Sequence, residues 1–190
     1  IYVIVSVVIE IILGLFLAFL FNRRIYGRGF MRSLMILPIF ATPFAIGFMF
    51  FTILFEVSGP LAWMGIPFLS NHNWAPFSVM LVDIWQWTPF CFLVFLAALQ
   101  GIPEDLIEAA TLDTKSAYKV WTSVILPLLQ PIIVLVILLR IAESAKLYDY
   151  IASLTKGGPG TATQSVSFLV FNKAFKMNDF GYASAGSFLM

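Results

Sequence analysis

The length of the apolar runs constrains this chain more than any other feature. Residues 1–21 contain one charged side chain, Glu10, and residues 75–99 contain one, Asp83. At about 1.5 Å of rise per residue, some 20 helical residues cross a hydrocarbon core about 30 Å thick. A strand of a membrane barrel would instead alternate in polarity over about 10 residues, which these runs do not do. Composition agrees, since 61% of the residues are hydrophobic and 11% are charged, against about 45–50% and 25% in soluble domains. Lipid offers no partner to backbone polar groups, so such runs are read as helices. The fold class is all-α, a polytopic membrane helix bundle.

The first span runs from Ile1 to Phe21 and leads into Asn22–Arg32, which carries four arginines and no acid. The excess of cations places that loop in the cytoplasm. A second span over Leu34–Phe55 contains Pro38 and Pro43 and is expected to kink or unwind. The loop Glu56–Trp74 has no lysine or arginine and is rich in turn residues, as an outer connection should be. His72, between two asparagines, reads as a solvated loop residue, and no metal site is expected. A third span covers Ala75–Leu99 and a fourth begins near Leu128. Lys156–Thr163 reads as a loop and Gln164–Phe175 as an amphipathic helix at the outer interface. A fifth, incomplete span opens with the small residues of Gly181–Ser187. Counting short loops gives Arg23, Arg24, Arg28, Arg32, Lys115 and Lys119 inside against Lys156, Lys173 and Lys176 outside. The single domain, residues 1–190, reads as a fragment lacking its native N-terminus and the end of its last span.

Glu10, Asp83, Arg140 and Glu143 fall at membrane depth, where an ionisable group costs roughly 2.5–3.5 kcal/mol on insertion scales and needs a partner or water. Helical rise puts Asp83 and Arg140 in the same layer of the bilayer. Asp83, Trp87 and Cys91 recur at four-residue spacing, while Arg140, Glu143, Ser144 and Leu147 fall within two turns of the fourth span. Where those faces meet, a polar and aromatic cavity could carry a substrate, Trp87 offering both an apolar face and an N–H donor. Against this stands local neutralisation, because Arg140, Glu143, Lys146 and Asp149 alternate in sign every three residues. Glu10 is expected to cap or pair within the bundle.

Between the third and fourth spans lies Glu104–Pro127, the longest segment that favours water. Pro103 can open a helix there, with Glu104 and Asp105 at its positive end. Within it, Glu108-Ala-Ala-Thr-Leu-Asp113, then Trp121 and Leu126-Pro127, resembles the Glu-Ala-Ala loop of permease subunits of binding-protein-dependent ABC importers. The likeness extends through Leu154–Gly160 and Phe180–Ala185, which resemble the corresponding segments of carbohydrate-importing permeases of the maltose type. Where that family has glycine after the aspartate, this chain has Thr114. A β-branched residue resists the left-handed conformation that glycine allows.

The resemblance implies a cytoplasmic coupling helix made by Glu108, Ala109, Ala110, Leu112, Asp113 and Thr114, docking into a dimeric ABC ATPase. It also implies a second, homologous permease subunit, an extracytoplasmic solute-binding protein, and residence in a bacterial inner membrane. The implied cargo is a sugar, polyol or sugar phosphate. No Gly-rich phosphate loop with Lys-Ser/Thr occurs, so the chain binds no cofactor itself, and ATP and Mg belong to the partner. An ion-coupled carrier relaying protons through Glu10, Asp83 and Glu143 is the competing reading. An intramembrane protease prompted by Tyr148-Asp149 lacks a second aspartate motif. A formal charge of +1 without a basic aromatic tract excludes nucleic acid as a partner.

Overall fold

The computed structural model describes residues 2–22, 26–114 and 116–190. Arg23, Arg24 and Lys115, on which the loop charge count partly rests, lie outside the described residues. Every regular element among the described residues is helical: α1 (Tyr2–Asn22), α2 (Arg28–Phe40), α3 (Pro43–Leu54), α4 (Trp74–Gln100), α5 (Glu104–Asp113), α6 (Ala117–Val120), α7 (Leu126–Ala145), α8 (Val166–Phe171) and α9 (Phe180–Phe188). A 3₁₀ turn occupies Ala62–Met64, and π-helical turns occupy Trp121–Ile125, Ile151–Thr155 and Asn172–Lys176.

Three stretches are long and apolar enough to span a membrane, Tyr2–Asn22, Trp74–Gln100 and Ala117–Ala145, and α2 with α3 makes a fourth if that bent pair is one span. Helix α9, nine residues long, falls in the segment expected to open the fifth, incomplete span. Within that pair, α2 and α3 are bent by 100° at a short break. The residue before a proline avoids the helical region, and Thr42, preceding Pro43, is extended at φ −65° and ψ 142°. Its hydroxyl accepts the Ala45 N–H at 3.4 Å, so α3 restarts with a cap and a proline in its first turn.

The fourth span starts at Ala117, ten residues before Pro127, where the sequence suggested a beginning near Leu128. A proline inside a helix removes one hydrogen bond and crowds the preceding turn. The widened turn Trp121–Ile125 lies immediately ahead of Pro127 and supplies that room. The helix then continues through Pro131, and α4 likewise continues through Pro89.

The chain divides into two compact units, one of Ile1–Ser6, Phe40–Gln86 and Ile141–Met190, the other of Val7–Ile39 and Trp87–Arg140. In the first, Ile46, Leu54, Val79, Val82, Tyr150, Ile151, Leu154 and Phe168 form the apolar core. Helix α3 approaches the π turn so closely that a Cβ at Gly47 would overlap Ser153 Oγ. In the second unit, α1 buries Val7, Ile11, Ala18 and Phe21, a stripe at three- and four-residue spacing. Its Gly14 admits α4, since a Cβ there would lie 2.6 Å from Cys91 Cβ.

The loop between α3 and α4, in the first unit, is organised by Glu56. One carboxylate oxygen accepts the Leu69 and Ser70 N–H groups, each at 2.7 Å, and the other accepts the Ser70 hydroxyl at 2.6 Å. Burial pushes the carboxyl pKa up, but the Ser70 and Leu69 hydrogen bonds outweigh it and hold the group below the usual glutamate range. A depressed folded-state pKa gives stability that is present above the ordinary value, about 4.3, and is lost as pH falls through the folded one. Amide exchange at Leu69 and Ser70 is therefore expected to accelerate on acidification through that window. Glu56→Ala should show the fast exchange already at neutral pH, and unchanged protection in that variant would contradict the staple.

Candidate functional site

In the second unit, Glu10 of α1 and Arg140 of α7 form a forked ion pair, with Nε to Oε2 at 2.6 Å and Nη2 to Oε1 at 2.9 Å. The two side chains are 0% and 1% exposed. Two parallel charge-assisted bonds fix the guanidinium plane and offset part of the desolvation of both charges. The Trp87 ring of α4 adds a third side, its centroid 4.7 Å from Arg140 Cζ. Sequence reading left Glu10 without a named partner, because 130 residues separate it from Arg140. Cys91, one turn beyond Trp87, is fully buried, and its Cβ lies where α1 presents Gly14.

In the first unit, Asp83 of α4 accepts a hydrogen bond from the Tyr2 hydroxyl at 2.8 Å and a longer one from Ser144 Oγ at 3.5 Å. Tyr2 is a partner that the sequence did not suggest, since a tyrosine at the start of a span reads first as an interfacial anchor. Tyr2 and Ser144 both line a cavity of about 220 Å3, with Leu147, Gln164 and Ser165. Glu143 is exposed and faces Lys146 at 3.9 Å, so the alternating charges of α7 pair locally at this step, while Arg140 reaches another helix. Gln86 meets two needs at once. Its amide nitrogen donates at 2.9 Å to the Ala41 carbonyl beside the break between α2 and α3, and its oxygen accepts the Tyr150 hydroxyl at 2.7 Å. A buried carbonyl at such a break needs a donor, and a lone glutamine in an apolar run was the signal that could have pointed to it.

The Glu108-Ala-Ala segment forms α5 in the second unit, and no residue of α5 is buried. Leu106 is 46% and Leu112 88% exposed, an apolar edge beside the slim surface of Ala109 and Ala110. Thr111 Oγ1 donates to the Glu108 carbonyl at 2.7 Å, tightening the last turn. Asp113 ends the helix and Thr114 follows in extended geometry, φ −146° and ψ 134°, its hydroxyl accepting the Ser116 N–H at 3.3 Å. Thr114 thus takes a conformation that suits a β-branched residue and lies outside the left-handed region. Behind it, Phe19, Thr111, Thr114, Tyr118, Trp121 and Ile125 line a cavity of about 550 Å3, with Phe19 and Trp121 in edge contact at 5.6 Å.

The ion pair makes a measurable claim on stability. Glu10→Ala takes the carboxylate away from a buried guanidinium and should cost about 3–5 kcal/mol, read as a lowered thermal midpoint of the purified protein. The double variant Glu10→Ala, Arg140→Met should recover most of that loss. Equal destabilisation of single and double variants would mean that the pair contributes packing alone.

Comparison with known proteins places this geometry. The family model described as the binding-protein-dependent transport system inner membrane component matches residues 10–190. The chain is 39% identical over 193 residues to the trehalose/maltose transport system permease protein MalF of Thermococcus litoralis, covering 97% of this chain and 65% of that protein. It is 35% identical over 198 residues to the trehalose transport system permease protein SugA of Mycobacterium tuberculosis, covering 98% of this chain and 61% of that one. The chain therefore spans less than two thirds of the length of these curated relatives. Among solved structures, a chain of a bacterial alginate ABC transporter, crystallised with an alginate pentasaccharide-bound periplasmic protein, superposes with a TM-score of 0.85 at 22% identity, over 99% of this chain and 69% of that one. That likeness establishes the fold. With the match over residues 10–190, this multi-pass membrane chain belongs to the family of inner membrane components of binding-protein-dependent transport systems.

Proposed function

We propose that the chain is a transmembrane subunit of an ATP-driven carbohydrate importer, coupled to a separate ATPase through α5. The observation that carries this reading is the exposure of the Glu108-Ala-Ala helix. A helix with no buried residue, edged by the exposed Leu106 and Leu112, suits a groove on a partner. The relatives' names, trehalose/maltose and trehalose transport permeases, support a sugar as cargo. The solved relative in complex with a pentasaccharide-bound periplasmic protein supports delivery by a soluble binding protein at the outer face. ATP and Mg would be held by the partner ATPase, a second permease would complete the pathway, and transport would alternate access between the two sides.

The substrate-pathway residues proposed are Asp83, Glu143, Ser144 and Leu147 in the first unit and Trp87, Cys91 and Arg140 in the second. Glu10 engages Arg140 with both carboxylate oxygens. That pairing favours a neutral sugar or polyol over a sugar phosphate, since an anion would have to compete with a forked carboxylate. It also weakens the ion-carrier reading, because a relay needs a carboxylate that takes and releases protons, and Glu10 is held in a buried ion pair while Glu143 is exposed.

Glu108→Lys is expected to leave the protein inserted but to weaken capture of the ATPase by about 30-fold, the effect of losing a contact worth about 2 kcal/mol at an interface hot spot. Wild-type stimulation of ATP hydrolysis by this variant would refute the docking role. Trp87→Ala should raise the transport KM or lower its rate while ATPase capture stays intact. Unchanged transport kinetics would move the substrate path elsewhere.

A further inference from the structure

Helix α2 has no role in the reading above, and none of its 13 residues is buried. Its first two turns are two-faced. Arg28, Gly29, Arg32 and Ser33 share one side, and Phe30, Leu34 and Leu37 share the other. The apolar side stands open, with Phe30 76%, Leu34 57% and Leu37 58% exposed. Its depth is set by Arg32, whose Nη2 donates at 2.6 Å to the Phe21 carbonyl in the last turn of α1, a candidate span ending at Asn22. The first turns of α2 therefore lie at the level where that span leaves the hydrocarbon. Arg32 is half-buried, and Arg28, one turn away, is exposed. Across residues 22–32 the chain carries four arginines and no acid.

We infer that this face binds an anionic phospholipid of the inner leaflet. A phosphodiester beside Arg28 and Arg32 would meet two guanidinium groups one helical turn apart. Acyl chains of the same leaflet would lie along Phe30, Leu34 and Leu37 on the apolar side. Charge complementarity decides the occupant. A neutral apolar partner would cover the phenylalanine and leucines but leave the arginine cluster unmatched, whereas clusters of basic residues just inside a span attract anionic headgroups. The inference rests on the membrane location of the chain and is independent of the ATPase assignment.

The test uses the full-length protein with its copurified partners in bilayer nanodiscs of phosphatidylcholine. Spin-labelled phosphatidylglycerol is compared with spin-labelled phosphatidylcholine, and the motionally restricted fraction of each is measured. The wild type should restrict phosphatidylglycerol preferentially, and added salt should weaken that preference. Arg28→Ala should lower it about fivefold, the contribution of one arginine near an anionic surface, and Arg28→Lys should restore most of it. Arg28 is chosen because it is exposed, whereas Arg32 also caps α1 and its loss could unfold the site. Equal restriction of the two lipids, or a preference unchanged in Arg28→Ala, would overturn the inference.

Discussion

The second unit is organised by one buried ion pair. Glu10 and Arg140 lie on helices that are apolar almost throughout, and neither charge would be tolerated alone at that depth. Together they form two short parallel hydrogen bonds at 2.6 and 2.9 Å, with the Trp87 ring against the guanidinium. Hydrophobic contact gives little preference for one helix rotation over another when lipid is as apolar as the side chains. A forked ion pair does give one, because either helix turned by one residue would bury an uncompensated charge. The pair contributes less to net stability than its bond count suggests, since both groups are desolvated. Its stronger effect is to select one rotation of α1 against α7 and to hold Trp87 of α4 in place.

The face that α1 buries shows why such a bundle is only partly legible. In a soluble helix the apolar stripe marks the core, but α1 is apolar all round. Its inward side is marked instead by the exceptions, Ser6, Glu10, Gly14 and Ala18, which recur every four residues and are all buried. Reading polar and small residues as the protein-facing side recovers the face. It does not recover the partner, because nothing local links Glu10 to a residue 130 positions away. Tyr2 with Asp83, and Gln86 with the Ala41 carbonyl, were hidden for the same reason. Prolines were legible in kind, but degree depended on their surroundings. Pro43 restarts a helix after an extended Thr42, whereas Pro89 and Pro131 sit inside continuous helices, and Pro127 is accommodated by a widened turn before it.

The Glu104–Pro127 segment was the most legible part, since its residues favour water in a chain that does not. The structure gives it a helix, an exposed apolar edge and an extended exit at Thr114. A glycine at that exit would be free to adopt a left-handed turn. Threonine narrows the choice to an extended one, secured by its hydroxyl on the Ser116 N–H. The path from α5 into the long span passes through the π turn at Trp121–Ile125. Single widened turns of this kind are frequent at functional sites.

The proposed role requires that this polypeptide move solute only when a separate ATPase drives it. The most direct measurement is uptake by the complete protein and its copurified partners in proteoliposomes, with the binding protein added outside and ATP sealed within. The account predicts uptake that is abolished by vanadate, absent without the binding protein and indifferent to an imposed proton gradient. Gradient-driven uptake by this polypeptide alone would contradict it.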